Sequence, residues 1–308
     1  MLSAFITHPD CARHEMGPGH PECPERLAAI QDLLLAKGLL DYMNTYEAPV
    51  ATEDQLGRAH AALYVQELIA AAPREGYRAV DPDTSMNPYT IPAALRAAGA
   101  AVLATDLVLS GEVPSAFCCV RPPGHHAERA AAMGFCFFNN IAVGIRHALD
   151  VHGLQRVALI DFDVHHGNGS EDIFRGDSRV LMCSVFEKGL YPFSGEQAVG
   201  PNMVNVGLPA RSGSEAFRAA VDEAWLPALE SFAPQLVYIS AGFDAHREDD
   251  MGNLGLTDAD YAWVTRRLVD LANRHCGGRV ISSLEGGYVL PALARSAAAH
   301  VRVLIGAD

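Results

Sequence analysis

Histidines and carboxylates recur in four short segments of the sequence, each of which contains glycine. Two of these segments contain adjacent histidines, although the 308 residues include only 13 histidines. A single histidine is more often a capping or core residue than a ligand, but four such segments together indicate metal or acid–base chemistry. The four segments are RPPGHHA (121–127), DFDVHHGNG (161–169), GFDAH (242–246) and LEGGY (284–288).

The segment DFDVHHGNG has the spacing of a divalent-metal site. Alternate side chains of an extended segment point the same way, so Asp161, Asp163 and His165 share one face. Asp163 and His165 could chelate one cation, and Asp244 is the best-placed third ligand. Two aspartates and one histidine with an open position are typical of a catalytic site. By ligand type alone, Fe²⁺, Co²⁺ and Mn²⁺ stay open beside zinc.

A metal site that activates water also needs a general base. His125 and His126 are the candidates, because a histidine tuned by a carboxylate or amide partner is the usual solution. Asp161 and Asn168 are the candidate partners. Tyr288 follows two glycines, which allow a mobile loop, and its phenol can donate a hydrogen bond to a developing oxyanion.

Short apolar runs, many of them β-branched, come before these segments, as expected of strands buried on both faces. The predicted strands are Ala4–Ile6, Ala116–Val120, Val157–Phe162, Val180–Val185, Val204–Leu208, Leu236–Ala241 and Val280–Leu284. The predicted helices are Pro24–Lys37, Ile141–Val151, Ser214–Phe232, Asp258–Cys276 and Leu290–Leu304. This alternation predicts a single α/β domain over residues 1–308, with a mainly parallel central sheet flanked by helices. Residues from about Thr45 to Pro92 are predicted to form a helical and loop insertion.

Composition and charge exclude several classes of function. With 23 Lys and Arg against 37 Asp and Glu, the formal net charge is −14, which argues against nucleic-acid binding and a polybasic membrane anchor. The most apolar stretch, Ile91–Leu109, is interrupted by Arg96 and Asp106, so we expect no membrane-spanning segment. No secretory signal is recognisable, and the seven cysteines form no C-x-x-C pair. We therefore expect a cytoplasmic protein with reduced thiols.

The motifs resemble those of the histone deacetylase superfamily, which includes acetylpolyamine amidohydrolases. The resemblance extends over nearly the whole chain. It comprises GHPECPERL (19–27), RPPGHHA, GFCFFNN (134–140), DFDVHHGNG, SAGFDAH (240–246) and LEGGY. It implies the arginase/deacetylase α/β fold and a zinc-dependent amide hydrolase, with Fe²⁺ or Co²⁺ as alternative metals.

The resemblance also implies roles for individual residues. Asp163, His165 and Asp244 match the metal ligands, and His126 matches the general base. His125 matches the second histidine of the pair, with Asp161 as its carboxylate partner. Asn168 stands where some family members have aspartate beside the base, and Tyr288 matches the tyrosine that stabilises the transition state.

Further matches concern the substrate and structural ions. Gly134, Phe135 and Tyr191 match a narrow tunnel for an aliphatic chain. Asp83 matches a rim aspartate that binds the substrate backbone, and Met251 matches a pocket-lining position. The family also binds potassium. Backbone oxygens of Asp161, Asp163, His165 and Val185, with Ser184, match an inner potassium site, and Phe174, Asp177 and Val180 match an outer one.

The predicted reaction is hydrolysis of an N-acetyl amide to acetate and a free amine. Two substrate classes stay open, namely acetyl-lysine in a protein or peptide and an acetylated polyamine or other small amide. Met251 does not favour a polyamine, because a carboxylate at the tunnel mouth would be expected for that cation. A non-catalytic acyl-amide binding module would have lost a ligand or Tyr288. An arginase-like ureohydrolase would need a two-metal set of ligands. The sequence carries no prediction of oligomeric state.

Overall fold

An eight-stranded sheet, in which every neighbouring pair of strands is parallel, forms the centre of the protein. The computed structural model describes residues 1–307. The strands are β1 (Ser3–Thr7), β2 (Met43–Glu47), β3 (Ser115–Cys118), β4 (Val157–Asp161), β5 (Val180–Glu187), β6 (Met203–Leu208), β7 (Leu236–Ala241) and β8 (Val280–Leu284). Their order across the sheet is β2-β1-β3-β8-β7-β4-β5-β6. The predicted α/β class with a mainly parallel sheet is confirmed.

Helices flank the sheet in two groups, with α1 and α9 packed on α10, and α4 packed on α5. The helices within residues 1–307 are α1 (Glu25–Ala36), α2 (Glu53–Gly57), α3 (Ala62–Ala70), α4 (Thr90–Leu109), α5 (Asn140–Asp150), α6 (Asn168–Phe174), α7 (Ser214–Ala220), α8 (Leu226–Phe232), α9 (Asp258–Cys276) and α10 (Leu290–Leu304). A capping box of Thr257 and Asp260 begins α9, and Gly277 ends it with φ +63°.

Most predicted elements are found with small shifts at their ends. The bounds of α9 and α10 are those predicted, and so are those of β7 and β8. The predicted helix Ser214–Phe232 is interrupted by a π-helical turn at Val221–Trp225, which separates α7 from α8. The central strands β4, β7 and β8 are buried along their whole length. This burial explains why they read as continuous apolar runs and not as alternating ones.

Two elements correct the sequence prediction. The segment that begins near Thr45 is not only an insertion, because β2 pairs in parallel with β1 at the edge of the main sheet. Helix α4 was not predicted, although it is 20 residues long. By length and hydropathy α4 could cross a membrane, but 72% of its 18-residue apolar window is buried inside the protein. A Cβ on Gly99 would lie 1.9 Å from the carbonyl oxygen of Pro49, so glycine permits this close packing.

The four central strands of the sheet, β3, β8, β7 and β4, are the ones that precede the four chemically active segments. Because the carboxyl ends of parallel strands lie at one edge of a sheet, the loops that follow these strands are neighbours. The fold thus brings together segments that lie far apart in the sequence.

Candidate active site

The loops after the four central strands carry the predicted catalytic and metal-ligating residues to one place. His125 and His126 follow β3, Asp163 and His165 follow β4, Asp244 follows β7, and Tyr288 follows β8. All except Tyr288 are buried, and Tyr288 is partly exposed.

Asp163, His165 and Asp244 form a buried group in which one ligand atom from each lies within 4.8 Å of the others. Nδ1 of His165 lies 3.0 Å from Oδ1 of Asp163 and 3.2 Å from Oδ2 of Asp244. Two glycines let the chain approach these carboxylates closely. A Cβ on Gly286 would lie 2.0 Å from Oδ2 of Asp244, and one on Gly242 would lie 2.0 Å from Oδ2 of Asp163. A side chain at either glycine would therefore block the group.

This group fits a divalent cation. Oδ2 of Asp244 is buried and accepts no hydrogen bond from residues 1–307, since the His165 ring bonds to Asp163 instead. Burial, together with the charge of Asp163, raises the pKa of Asp244 to about 7, because two buried carboxylates repel each other. A divalent ion would offset this repulsion and would bind the unpaired oxygen of Asp244. Two aspartates and one histidine are a set of ligands that such an ion takes in proteins.

The two adjacent histidines have different partners. Nδ1 of His125 lies 3.0 Å from Oδ2 of Asp161. Nδ1 of His126 lies 2.8 Å from Oδ1 of Asn168. Although burial alone would lower it, the carboxylates of Asp163 and Asp161 raise the pKa of His125 well above its ordinary value. Burial and the charge of His125 lower the pKa of His126 well below its ordinary value. His125 is thus held charged and His126 neutral, so the two rings are suited to different roles, His125 as an acid and His126 as a base.

Two glutamates to which the sequence analysis assigned no role fix this histidine loop. Oε2 of Glu285 accepts hydrogen bonds from the backbone N–H groups of Gly124, at 2.7 Å, and His125, at 3.1 Å. Oε1 of Glu128 accepts a hydrogen bond of 2.8 Å from Nδ2 of Asn168. Glu285 lies inside LEGGY and Glu128 directly follows RPPGHHA. Both could therefore have been identified from the sequence by their positions in or beside these motifs.

A buried ion cluster holds the loop that carries Tyr288. Glu22 pairs with Arg121 and, at 3.0 Å, with Arg26. Nε of Arg26 donates a hydrogen bond of 2.6 Å to the carbonyl oxygen of Gly287, and its guanidinium lies 4.8 Å from the Tyr288 ring centroid. Although burial alone would raise it, the Arg121 guanidinium holds the pKa of Glu22 well below its usual range. Glu22 and Arg121 are 99 residues apart, so no local pattern could reveal the pair.

The predicted tunnel residues line one narrow cavity of about 130 Å³ beside the metal-ligand group. The rings of Phe135 and Tyr288 meet edge to face at 5.9 Å, and those of Tyr191 and His126 at 5.2 Å. Gly134 has φ +55°, and a Cβ there would lie 2.5 Å from the His126 ring, so glycine keeps the passage open. The lining residues are Asp83, His126, Gly134, Phe135, His165, Tyr191, Met251 and Tyr288.

The residues matched to an inner potassium site lie at the ends of β4 and β5. Asp161 is paired with Ser184 in the sheet, and both are fully buried. Carbonyl, carboxylate and hydroxyl oxygens are the ligands that a hard cation takes in proteins. The donor set therefore fits a potassium ion. It consists of Asp161, Asp163, His165, Ser184 and Val185.

The residues matched to an outer potassium site lie around a side-chain amide. The carbonyl oxygens of Phe174, Asp177 and Val180 do converge, but each accepts a hydrogen bond from Nδ2 of Asn202. A hydrogen-bond donor thus lies where the ion would have to bind. No motif marked Asn202, and the sequence analysis did not consider it.

A second group of potential metal ligands lies near the C-terminal ends of α4 and α5. It consists of Asp106, His147 and His152. Nε2 of each histidine lies within 2.8 Å of Oδ1 of Asp106. Arg58 donates a hydrogen bond of 2.9 Å to Nδ1 of His147, which leaves Nε2 to carry the ring hydrogen. Hydrogen bonds therefore account for this group, whereas Asp244 keeps an unpaired oxygen.

Comparisons with known proteins agree with this architecture. The family model described as "Histone deacetylase domain" matches residues 20–304. The histone deacetylase-like amidohydrolase of Pseudomonas aeruginosa is 38% identical over 277 residues, which cover 88% of this chain and 73% of that protein. The mouse polyamine deacetylase HDAC10 is 38% identical, with 99% of this chain and 48% of that protein covered. The crystal structure of the HDA15 HD domain has a TM-score of 0.91 at 34% identity and covers 99% of this chain and 88% of that one. The chain belongs to the histone deacetylase family.

Proposed function

We propose that this protein is a zinc-dependent deacetylase that hydrolyses the amide of acetyl-lysine-like substrates and releases acetate. The observation that carries this proposal is the narrow cavity beside Asp163, His165 and Asp244, with His126 and Tyr288 in its wall. The cavity supplies a place for an acyl chain, and the residues around it supply a base and a hydrogen-bond donor. The reaction belongs to the amide-hydrolysing chemistry of the family.

Asp163, His165 and Asp244 would hold the metal, with zinc as our proposal and Fe²⁺ or Co²⁺ as alternatives. A divalent ion bound there supplies acidity to a water molecule and polarises the acetyl carbonyl. The carboxylates fit this task because each is fixed by backbone contacts. The N–H of Gly286 donates to Asp163 at 2.8 Å, and the N–H of Val164 donates to Asp244 at 2.9 Å.

His126 acts as the general base in this proposal. Its low pKa keeps the ring neutral near pH 7, so a lone pair is available to take a proton from water. Asn168 binds Nδ1, which directs the lone pair to Nε2. His125, held charged by Asp161, favours negative charge on the reacting carbonyl. A histidine then returns a proton to the departing amine.

Tyr288 donates a hydrogen bond from its phenol to the oxyanion. Burial raises the pKa of Tyr288 well above its ordinary value, so the hydroxyl keeps its proton. The Arg26 side chain, which binds the carbonyl oxygens of Glu285 and Gly287, holds the loop that presents the ring. Such prepositioned donors contribute to catalysis because they need no reorganisation during the reaction.

The substrate chain would lie between the rings of Phe135 and Tyr191, with Gly134 leaving space beside them. Aromatic walls suit a run of methylenes, because these can be desolvated without polar partners. Asp83 at the rim would accept hydrogen bonds from a substrate backbone, and Met251 would line the mouth.

An acetylated polyamine is the second candidate substrate. The mouse polyamine deacetylase HDAC10, 38% identical to this chain, supports it. The carboxylate of Asp83 in the cavity wall could attract a polyamine cation.

We also propose a structural potassium ion at the inner site and one catalytic domain over residues 1–308. The protein would work in the cytoplasm, which the free state of all seven cysteines supports, since reducing compartments keep thiols unpaired.

An activity panel on metal-analysed protein tests the proposal. The panel compares an acetyl-lysine peptide, acetylputrescine, acetylspermidine and longer acyl-lysine peptides, with acetate or acylate release as the readout. We expect hydrolysis of the acetyl-lysine peptide with the highest kcat/KM. Preference for the acetylated polyamines would support the second candidate. A lack of hydrolysis of every acyl amide would contradict an enzymatic role.

A further inference from the structure

Three main-chain carbonyl groups converge on a single side-chain nitrogen between α6 and β5. Nδ2 of Asn202 shares its two hydrogens among the carbonyl oxygens of Phe174, at 2.9 Å, Asp177, at 3.2 Å, and Val180, at 3.0 Å. Oδ1 of the same side chain accepts a hydrogen bond of 3.2 Å from the N–H of Gly176. Asn202 is 8% exposed, so this is a buried and fully used amide.

The orientation of the Asn202 amide is fixed by its partners. Three carbonyl oxygens can only accept hydrogen bonds, and the N–H of Gly176 can only donate one. A flipped amide would place its oxygen against three oxygens and its nitrogen against an N–H donor. The amide nitrogen must therefore point into the carbonyl cluster, which we call the Asn202 cluster (the carbonyls of Phe174, Asp177 and Val180 around Nδ2).

A convergent set of main-chain carbonyls is the surrounding that an alkali cation takes in proteins. The carbonyl oxygens of Phe174 and Asp177 each also accept a main-chain hydrogen bond of 3.0 Å, from the N–H of Asp177 and of Val180, which leaves each a second lone pair for a further partner. In the Asn202 cluster the two amide hydrogens supply the positive partner. A cation would have to displace the side chain and break its four hydrogen bonds.

The charged side chains around the cluster are already paired with one another. The carboxylate of Asp177 is held by two guanidinium groups, from Arg146 at 2.7 Å and from Arg179 at 2.8 Å. Arg146 additionally donates to the carbonyl oxygen of Ile173, next to the cluster. Arg179 also pairs with Asp150 at 3.4 Å, so two carboxylates balance the two guanidinium groups and no unpaired negative charge is left to attract a cation.

We propose that the side-chain amide of Asn202 replaces an alkali cation. The carbonyl groups of Phe174, Asp177 and Val180 then have a side chain of the protein as their partner and not an ion. The connection between α6 and β5 is then held together without an ion. The inner group around Asp161 and Ser184 keeps its oxygen donors and is unaffected. This inference does not depend on the catalytic proposal, because it concerns ion binding and stability.

Stability in different salts tests the proposal. Asn202 lines a surface cavity of about 290 Å³, so its truncation opens the cluster to ions. We expect Asn202→Ala to lower Tm by about 5 °C in choline chloride. Potassium chloride at equal ionic strength should restore most of this loss, because a bound ion stabilises the folded state. Asn202→Asp should depend on potassium even more strongly, since its carboxylate would face three oxygens.

Asn205→Ala is the matched control, because Asn205 lies on β6, the strand that begins directly after Asn202. Nδ2 of Asn205 donates to Oε1 of Glu171 and to the carbonyl oxygen of Gly195, away from the cluster. This variant should lose the same stability in both salts. Equal losses for Asn202→Ala in potassium and choline would overturn the proposal.

A measurement on the unchanged protein covers the case in which the Asn202 variants do not fold. Thallous ion is an electron-rich substitute for potassium, and crystals soaked in thallous acetate reveal its sites by anomalous scattering. We expect no peak among the carbonyls of Phe174, Asp177 and Val180. A peak among these three oxygens, with the Asn202 side chain displaced, would contradict the proposal whatever the variants show.

Discussion

The amide oxygen of Asn168 lies 2.8 Å from Nδ1 of His126, and the nitrogen of the same amide donates to Glu128. A carboxylate can only accept hydrogen bonds, so Glu128 fixes which way the amide points. The amide oxygen then requires a hydrogen on Nδ1 of His126, which leaves the Nε2 lone pair free. The tautomer of the proposed base is thus set by Glu128, which forms its hydrogen bond with Asn168 and not with His126.

Replacement of Asn168 by aspartate should make His126 more basic. A carboxylate beside Nδ1 stabilises the charged ring and raises the pKa of His126. His126 must be neutral to act as a base, so the acidic limb of the kcat/KM profile should move to higher pH, by about one unit or more. The pH profile of acetate release checks this prediction. An unchanged acidic limb would remove His126 from the role of base.

Variants of Glu128 should affect activity according to whether they accept or donate hydrogen bonds. Glu128→Gln can still accept from Asn168 and should stay within about threefold of the original kcat. Glu128→Lys can only donate, so it favours a flipped Asn168 and the wrong His126 tautomer. Its kcat should fall about 100-fold, since a positioned base contributes at least that much.

The control for Glu128 is Asp172→Asn. Asp172 lines a surface cavity together with Glu128, but its carboxylate accepts from the N–H of Arg129, whereas the Asn168 amide donates to Glu128. It should change kcat little. If both Glu128 variants and Asp172→Asn reduced kcat equally, a general loss of negative charge would explain the effect and the tautomer argument would fail.

Tyr288→Phe should reduce kcat by about 100-fold to 1,000-fold, the range for loss of one oxyanion donor. KM should change little, because the ring still lines the cavity and only the hydroxyl is lost. Tyr46→Phe is the control, since Tyr46 lies on the edge strand β2 and donates to Glu112 at the surface. Steady-state kinetics on both variants is the measurement. A near-normal kcat in Tyr288→Phe would exclude the Tyr288 hydroxyl as the oxyanion donor.

Buried neutral histidines should make stability depend on pH. Burial lowers the pKa of His60 to about 4 and that of His300 to about 3. An unfolded histidine has a pKa of about 6.5, so between these values the unfolded chain takes up a proton that the folded protein does not. The free energy of unfolding should therefore fall as pH drops below about 6.5. The slope is about 1.4 kcal/mol per pH unit for each histidine.

Urea unfolding of the protein and of His60→Gln between pH 4 and pH 6.5 checks this dependence. In the folded protein His60 donates to the carbonyl oxygen of Glu128 and accepts from the N–H of Asn139, and a glutamine can mimic both contacts. The variant should show a shallower slope. Identical slopes would mean that His60 does not contribute to the pH dependence.

The sequence was sufficient to predict those site residues whose positions follow from the ends of the strands that precede them. Asp163 and His165 share a face of one extended segment, and Asp244 lies beyond a neighbouring strand, so their convergence follows from parallel sheet geometry. Helix α4 was not predicted because Arg96 and Asp106 interrupt its apolar run, and the run was considered only as a membrane span. Strand β2 lies at the sheet edge, where exposed residues obscure the apolar pattern.

Contacts between polar groups that lie far apart in the chain left no signal in the sequence. Glu22 lies in GHPECPERL and Arg121 in RPPGHHA, but 99 residues separate them, so neither motif indicates that the two side chains pair. Asn202 is similar, because its role depends on carbonyl groups from a loop more than 20 residues earlier. Every residue has the same main-chain carbonyl group, so the sequence does not indicate which carbonyls converge. Only the folded structure shows this.

Substitutions can distinguish the proposed metal ligands from the second group of potential ligands, which contains Asp106. Asp163→Ala and Asp244→Ala should lose the bound divalent metal, because two ligands cannot hold it as three do. Asp106→Ala removes a carboxylate from the second group and should leave the metal content unchanged. Metal analysis of the purified proteins is the measurement. Stoichiometric metal in Asp163→Ala would show that the ligand set is wrong.

Acetate release from an acetyl-lysine peptide, before and after metal removal, tests the proposed activity most directly. The purified protein is stripped with a chelator, assayed, and assayed again with one equivalent of zinc. We predict no release from the stripped protein and restored release with zinc, but none when the same zinc is added to Asp244→Ala. Equal release from stripped and zinc-loaded protein would contradict a metal-dependent deacetylase.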